Sequence, residues 1–313
     1  MEYRLDWPTM QQNYRTDAHR LETVFNRRET VGELESRTMS EWLSGAVRPT
    51  AISLVLVGLL TWESFAPFFA FFAKRSGDRV RHGARNLTLG VINAAVNGLV
   101  CVGLWWTVAA WAETRGIGLL RWLTLPRWAK LTGVFVLVDL WMYAWHRLNH
   151  RVPLLWRFHR VHHSDPNLDV TTASRFHFGE ILLSCGLRVP VVALIGVELW
   201  ELMLYEMAMF TVVQLHHANI SLSAPLDRAL RVVIVTPFMH KVHHSNKRPE
   251  TDSNYSSLFS FWDRLFRTFR SRDDPHALRF GLPELSAAEH QTFVGLLKTP
   301  ARQIERTTGD DAA

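Results

Sequence analysis

Two long apolar stretches in the first third of the chain limit what it can fold into. Residues 51–73 contain one charged side chain, Glu63, and residues 87–112 contain none. Each stretch has the roughly 20 residues that a helix needs to cross a bilayer. Three tryptophans gather towards one end of the second stretch, and indole rings favour the membrane interface. The pattern therefore predicts two membrane-spanning helices.

Two further apolar stretches follow along the chain. Residues 131–145 are short for a full span and run directly into His146. Residues 181–213 are long enough for a helical hairpin that enters the membrane and returns, with Pro190 and Gly196 marking its bends. The sequence thus predicts an all-α integral-membrane bundle with about four helices that span or dip into the bilayer.

Polar segments flank this apolar region and divide the chain into three parts. Residues 1–48 are polar and charged, with helical propensity over residues 16–34 and without the apolar core of a signal peptide. Residues 49–270 form the membrane domain, and residues 271–313 form a polar tail. A basic loop between the first two spans predicts a cytoplasmic position for that loop by the positive-inside rule. Its basic residues are Lys74, Arg75, Arg79, Arg81 and Arg85.

The basic excess of the chain does not indicate a nucleic-acid partner. Lys and Arg number 35 against 29 Asp and Glu, which gives a formal charge of +6. These basic residues flank apolar segments and no nucleic-acid motif is present, so we expect no such partner. The two cysteines, Cys101 and Cys185, both lie in apolar stretches. Their number excludes cysteine-rich zinc modules and argues against a disulfide framework.

Histidines are concentrated in one part of the chain. Eleven of the 15 fall between residues 146 and 244, and eight of these form one H-x-x-x-H pair and two H-x-x-H-H copies. On a helix these spacings place side chains on one face. The eight are His146, His150, His159, His162, His163, His240, His243 and His244. We expect no functional role for the four isolated histidines, which are His19, His82, His276 and His290.

This density of imidazoles predicts a metal site. Imidazoles buried together without partners would leave polar atoms unsatisfied, and protonating them together would be costly. One ion takes about four to six ligands, so eight clustered histidines exceed what one metal uses. We therefore expect two nearby ions, with both H-x-x-H-H copies supplying each of them. Imidazole suits iron and zinc alike.

At these positions the chain resembles the fatty acid hydroxylase superfamily, also called the sterol desaturase family. The matching stretches are DLWMYAWHRLNH (139–150), HRVHHSD (159–165), TASRFH (172–177), HAN (217–219), HKVHH (240–244), DSNY (252–255) and FWD (261–263). The resemblance covers roughly residues 50–270. It implies a membrane-bound di-iron centre that uses O₂ and external electrons. It also implies a cytoplasmic helical cap that carries the two metals.

The resemblance adds two ligands to the eight clustered histidines. His217 matches the family's His-Ala-Asn position, and its neighbour His216 is an extra histidine. His177 stands where the family often has His-Pro, although Phe178 follows it here. The resemblance therefore implies a set of ten metal ligands, namely the eight clustered histidines together with His177 and His217.

Four further polar residues are predicted to contact the ligands, namely Asp139, Glu206, Asn219 and Asp252. Asp139 lies seven and eleven residues before His146 and His150, and Glu206 lies eleven before His217, so each shares a helical face with a ligand. A carboxylate there would accept the second N–H of an imidazole and fix its tautomer. The alternative for both acids is an ion pair with an arginine at the membrane interface.

The function implied by the resemblance is O₂-dependent hydroxylation of an aliphatic C–H bond in a membrane lipid, such as a sterol or a fatty acyl chain. The alternatives are a lipid desaturase on the same site and a non-catalytic membrane protein with a structural metal site. A hydrolytic metalloenzyme would need a His-Glu-x-x-His motif, which is absent. A metal transporter would carry its histidines along the spans, whereas here they lie mainly at span ends.

The expected cofactors are two iron ions and O₂, with zinc as the alternative metal in isolated protein. The chain carries no cytochrome, ferredoxin or flavin motif, so we expect a separate electron donor of the ferredoxin or cytochrome b5 type. We expect an integral membrane protein of the bacterial inner membrane, because no carboxy-terminal dilysine signal is present. The metal site would lie on the cytoplasmic side. The lipid substrate and the oligomeric state stay open at this stage.

Overall fold

The computed structural model describes residues 45–72 and 76–304, and these residues form helices joined by loops. The longer helices are α1 (Val47–Phe65), α2 (Ser76–Val96), α3 (Val102–Thr114), α5 (Arg127–Arg151), α6 (Pro153–His163), α7 (Phe178–Ile195) and α8 (Leu199–His217). The shorter ones are α4 (Leu119–Trp122), α9 (Ala224–Leu230), α10 (Pro237–His243), α11 (Arg248–Thr251), α12 (Phe261–Leu265) and α13 (Phe293–Lys298). Single 3₁₀ turns form at Val170–Ser174, Pro275–Ala277, Pro283–Leu285 and Thr299–Ala301.

The all-helical class predicted from the sequence is confirmed. Across the described ranges no strand forms, and β pairing is limited to two isolated bridges, Ile234 with Phe259 and Ser245 with Phe280. The helical propensity over residues 16–34 lies outside the described residues.

Two helical stretches of the described chain are long and apolar enough to cross a membrane. The first lies between Gly77 and Trp122 and comprises α2, α3 and the short α4; a π-helical turn at Asn97–Cys101 joins α2 to α3 without a break. The second is α7. The sequence predicted about four spanning or dipping helices. Much of the apolar surface of the first stretch is exposed, with Leu99 at 85% and Val91 at 70%. An exposed apolar face of this kind fits contact with lipid.

The first apolar stretch of the sequence is helical over only part of its length. α1 ends at Phe65, and residues 66–72 continue as bends and turns. Pro67 accounts for this end, because proline disfavours the helical conformation of the residue before it. The side chain of Asn219 then holds the segment, accepting the N–H of Phe69 at 2.9 Å and donating to its carbonyl at 2.8 Å. The span predicted over residues 51–73 is therefore shorter than expected.

Glu63, the one charge of that first stretch, ties α1 to its neighbours. Its side chain is buried and accepts the backbone N–H of Val170 at 3.1 Å and of Asn219 at 2.9 Å. Arg79 donates to its other oxygen at 3.1 Å. Arg79 belongs to the first turns of α2, as do Arg81 and Arg85, so these three predicted loop residues are helical. Lys74 and Arg75 lie outside the described residues.

α7 and α8 form the hairpin that the sequence predicted for residues 181–213. Gly196 makes the turn with a φ of 78°, in the left-handed region that favours glycine. A Cβ atom at Gly196 would lie 2.9 Å from the Cα of Gly118, so the close approach of the two loops also requires it. Pro190 lies inside α7, so the turn between the two helices falls at Gly196 and not at Pro190.

The largest apolar core lies where α3, α5, α7 and α8 meet. Trp105, Val138, Val192 and Tyr205 are buried members of it, one from each helix. Asp139 lies beside this core and is fully buried. Between membrane helices, van der Waals packing of such side chains stabilises the association of the helices. This packing holds the ends of the four helices in fixed positions.

Asp139 connects α5 to α8 and to the segment that carries α12. Its carboxylate accepts the hydroxyl of Tyr205 at 2.7 Å and the indole N–H of Trp262 at 2.9 Å. It also accepts the backbone N–H of Phe259 at 2.9 Å and of Leu258 at 3.3 Å. Four donors thus converge on one buried carboxylate.

We expect Asp139→Asn to destabilise the fold while leaving the metal content unchanged. The amide keeps one acceptor oxygen but turns N–H groups towards donors, and a buried unsatisfied donor costs about 1–3 kcal/mol. Thermal unfolding of the detergent-solubilised protein measures the loss. Asp78→Asn, on the exposed start of α2, is the control and should stay within about 0.5 kcal/mol of wild type. A variant with wild-type stability but little bound metal would contradict this assignment.

Candidate metal centre

Nine histidines converge into two neighbouring groups. Within each group, one ligand atom per side chain lies within 4.8 Å of all the others. Group A consists of His146, His150, His159, His163 and His243. Group B consists of His162, His217, His240 and His244. All nine rings except the half-buried His146 are buried. The grouping has the form expected for a dinuclear site.

Each H-x-x-H-H copy divides its histidines between the two groups. On α6 the first and third histidines of the motif belong to group A, and the second, His162, belongs to group B. On α10 and the residue after it the assignment is reversed, and the second histidine, His243, belongs to group A. Residues i and i+4 lie one above the other on a helix, and residue i+3 is offset to the side. Two facing helices with the same motif therefore supply both groups.

The Nε2 atoms of group B are spaced like the ligands of one ion. The Nε2 of His217 lies 3.1 Å from the Nε2 of both His162 and His240, and the Nε2 of His240 lies 3.1 Å from that of His244. The Nδ1–H of His217 donates to the carbonyl of Val213 at 2.7 Å, so its Nε2 carries a lone pair. Nitrogens that bind one ion at about 2.0–2.1 Å come this close to each other.

Four rings of group A direct Nδ1 at an oxygen acceptor. The pairs are His146 with the carbonyl of Tyr255 (2.8 Å), His159 with Oε1 of Glu180 (2.9 Å), His243 with the carbonyl of Ser253 (2.6 Å) and His150 with Oδ1 of Asp252 (3.3 Å). Such contacts orient metal-binding imidazoles and leave Nε2 as the ligand atom. The Nε2 of His146 is buried without a hydrogen-bond partner among the described residues. A metal ion would supply that partner.

The protonation state of the rings suits metal binding. Burial, followed by the neighbouring imidazoles, lowers the pKa of four histidines well below 6.5, two on α6, one on α10 and one directly after α10. The rings concerned are His162, His163, His240 and His244. They are neutral near pH 7, and a neutral imidazole is the form that binds a metal. The side chains present therefore fit two ions, with all ligand atoms being nitrogen.

His177, the tenth predicted ligand, lies outside both groups. It caps the N-terminus of α7, where its Nδ1 accepts the N–H of Gly179 at 3.0 Å. Its Nε2 lies 3.3 Å from the carbonyl of Leu297. The structure thus gives His177 a capping position instead of a ligand position. A side-chain acceptor satisfies one of the N–H groups that a helix start leaves unpaired.

His216, the extra histidine of the sequence, also belongs to neither group. Its ring is buried and stacks on His240 with 3.8 Å between ring centroids. Both of its ring nitrogens lack a hydrogen-bond partner among the described residues. His216 therefore packs against His240, one of the predicted ligands, and does not belong to the ligand groups.

The four polar residues predicted to contact ligands have different surroundings. Asp252 lies beside His150, as given above. Asp139 instead receives the four donors from α8 and from residues 258–262. Glu206 pairs with two arginines, which is the alternative that the sequence left open. Asn219 bonds the backbone beyond α1. A shared helical face gives the direction of a side chain but not the donors that another element brings to it.

Glu180 is the ligand contact that the sequence analysis missed. Its Oε1 accepts the Nδ1–H of His159 at 2.9 Å and lies 3.3 Å from the Nδ2 of Asn149. The side chain is buried. A signal was present, because Glu180 is an acid at the start of an apolar helix and lies within reach of the histidine-rich segment before it.

His82, for which no role was predicted, is buried beside the end of α6, the helix that carries His159, His162 and His163. Its Nε2 lies 2.9 Å from Oδ1 of Asp165, and its Nδ1 lies 3.3 Å from Oδ2 of Asp169. Asn86, one turn later on α2, also donates to Asp165 at 3.2 Å. Asp165 follows the α6 histidines by two residues, so these contacts fasten the end of α6 to α2. His82 lies far from Asp165 in the sequence, so sequence patterns alone do not predict this contact.

A cavity of about 750 Å³ adjoins the histidines. Rings from both groups contribute to its wall, including His146, His162 and His217. Apolar side chains from α1, α2, α5, α7 and α8 form much of the remainder. Its size and largely apolar lining fit an organic ligand with a long apolar part.

Comparisons with known proteins agree with this geometry. Residues 131–268 match the family model described as fatty acid hydroxylase. The ornithine lipid hydroxylase OlsE of Rhizobium tropici is 32% identical over 142 residues, which cover 45% of this chain and 42% of that protein. The human alkylglycerol monooxygenase is 29% identical over 137 residues, covering 44% and 30%. The mouse cholesterol 25-hydroxylase is 30% identical over 152 residues, covering 45% and 46%.

The chain spans less than half of the length of these curated relatives. No solved structure matches it significantly. The matched segment includes all nine histidines of groups A and B. Residues 131–268, which include the whole candidate metal centre, are therefore similar to the fatty acid hydroxylase family.

Proposed function

We propose that the chain is an O₂-dependent di-iron oxidoreductase that hydroxylates an aliphatic C–H bond of a membrane lipid. The observation that supports this most is the contact between two all-imidazole groups and a largely apolar cavity. The relatives named above are a hydroxylase of ornithine lipid, a monooxygenase of alkylglycerols and a hydroxylase of cholesterol. Insertion of oxygen into a lipid is the chemistry that these names share.

The chain's own residues hold the ions and orient the ligands. Iron bound in the two groups would supply the redox chemistry that activates O₂. Glu180 and the carbonyls of Tyr255 and Ser253 keep three rings of group A in one tautomer, with Nε2 facing inwards. The apolar wall, which includes Ile181 and Met209, would exclude water from the reacting C–H bond.

We place the chain in a membrane with the metal centre on the cytoplasmic side. The exposed apolar faces of α2, α3 and α7 support integration into lipid. Arg79, near the basic start of α2, contacts Glu63, which in turn binds the backbone of Asn219, two residues after the ligand His217. The basic end of α2 and the metal centre thus share one end of the bundle, and basic ends favour the cytoplasm. A bacterial inner membrane and a separate ferredoxin-type or cytochrome b5-type donor complete the proposal.

The decisive experiment compares iron-loaded and zinc-loaded protein. With an electron donor, ¹⁸O₂ and a membrane lipid extract, the iron form should incorporate label into a lipid and the zinc form should not. Both ions suit imidazole, but zinc has no redox chemistry. Mass spectrometry of the lipids gives the readout. A loss of two hydrogens without label would identify a desaturase instead. Equal lipid conversion by the zinc form without oxygen would contradict the oxidase assignment.

A further inference from the structure

Three charged side chains line the cavity without contacting either histidine group. Arg188 on α7 forms a short ion pair with Glu206 on α8. Arg48, at the start of α1, lies 3.3 Å from the other oxygen of the same carboxylate. The side chains of Arg48, Arg188 and Glu206 are 19%, 5% and 11% exposed. Two guanidinium groups thus share one carboxylate, which among the described residues leaves one positive charge in excess at a largely buried position.

Arg188 keeps donors that no described residue satisfies. One N–H group faces Glu206, and Nη2 lies 2.9 Å from the thioether sulfur of Met142, which is a weak acceptor. The guanidinium stacks over the ring of Trp105, with 4.6 Å to the centroid. Its Nε is buried and has no hydrogen-bond partner among the described residues. A buried charge with unmet donors is costly unless a counter-charge satisfies it.

Glu180, the other acid of the cavity wall, does not supply that counter-charge. It binds His159 and lies eight residues before Arg188 on α7, which is roughly 12 Å along the helix axis. On α8, Glu206 lies eleven residues before His217, or roughly 16 Å along the axis. The charged side chains and the histidines therefore line the same cavity at well separated positions.

We propose that Arg48 and Arg188 bind the acid group, a carboxylate or a phosphate, of an anionic lipid whose chain extends through the cavity to the histidines. This assignment of a substrate class rests on the proposed function. Guanidinium groups bind both kinds of oxyanion through charge-assisted hydrogen bonds. The apolar wall between the two positions suits the acyl chain. The oxidised carbon then lies within the chain and not beside the acid group.

Equilibrium binding to the full chain in nanodiscs of a neutral lipid tests the proposal without any turnover. The probes are radiolabelled oleic acid, 1-oleoyl lysophosphatidic acid and oleyl alcohol, which share one unsaturated hydrocarbon chain and differ in the head group. We expect the wild type to bind at least one acid more tightly than the alcohol. Arg188→Gln and Arg48→Gln should each weaken binding of that acid by at least about tenfold and leave the alcohol unchanged. Arg188→Lys should restore part of the affinity.

Arg121→Gln is the matched control, because Arg121 is also a largely buried arginine near a carboxylate, Glu113, but does not line the cavity. Its acid binding should equal that of the wild type. Metal content and a monodisperse elution profile establish that each variant is folded. If Arg188→Gln does not fold, Arg48→Gln carries the test, since its side chain is the more exposed.

The two acids distinguish the sources of the anion. Preference for oleic acid identifies a carboxylate, and preference for the lysophosphatidic acid identifies a phosphate. Equal affinity of the wild type for the acids and the alcohol would overturn the proposal, as would an equal loss for all three probes in Arg188→Gln. Selective acid binding without ¹⁸O incorporation would refute the proposed function and leave this binding site standing. If the arginine variants lose acid binding in none of the assays but lipid oxygenation continues at the wild-type level, this binding site would be refuted and the proposed function would stand.

Discussion

His162→Ala is expected to lower the metal content from about two ions per chain to about one. His162 is one of four ligands in group B, and its Nε2 lies 3.1 Å from that of His217. Removing the ring leaves three nitrogens at a site whose ligands all come from imidazoles. Group A keeps its five rings, so its ion should stay bound. Lipid oxidation, which we propose needs both ions, should be abolished.

The converse variant, His243→Ala, should deplete group A and spare group B. Inductively coupled plasma mass spectrometry of purified protein counts the ions in each case. His276→Ala is the control, because His276 is exposed and belongs to neither group. Metal content at the wild-type level in both ligand variants would exclude His162 and His243 from the ligand set.

Glu180→Gln is expected to weaken metal binding in group A by roughly 10- to 100-fold. The carboxylate accepts the Nδ1–H of His159 and thereby fixes the tautomer in which Nε2 is the ligand atom. Glutamine has the same shape but no charge, so it orients the ring less firmly and makes it a poorer electron donor to the metal. Timed loss of metal to a chelator measures the change.

Asp139→Asn provides the comparison for this second variant. Both acids are buried and both lie close in sequence to histidines, but only Glu180 contacts a ligand. We therefore expect Asp139→Asn to lose stability and keep its metal, and Glu180→Gln to keep most of its stability and lose metal faster. Wild-type metal release from Glu180→Gln would show that its contact with His159 is dispensable.

Local patterns explain why the histidine groups could be predicted. The spacings i, i+3 and i+4 acquire a spatial meaning as soon as the segment is helical, and α6 and α10 are helical. The number of imidazoles then favours two ions. Apolar length gave the same kind of local signal for the helical region over residues 87–112 and for the two helices α7 and α8. These inferences need no knowledge of which elements touch.

Partners across the fold could not be predicted in this way. His177 has the surroundings of a helix cap, and Asp139 receives donors from residues more than 60 positions away in sequence. His82 meets Asp165 across 83 residues. A single sequence contains no measure of such distances, so it does not reveal the partners of isolated residues of this kind.

The sequence by itself thus determined the helical class, the two-ion capacity and the all-imidazole ligand type, because these depend on residue type and short-range spacing. Only the tertiary structure decided how nine histidines divide into groups of five and four, since that depends on α6 and α10 facing each other. It also decided that Glu180 orients a ligand and that Arg48, Arg188 and Glu206 meet in one cavity. Long-range packing of whole helices sets those contacts. That packing depends on many residues along the chain together, so no single motif predicts it.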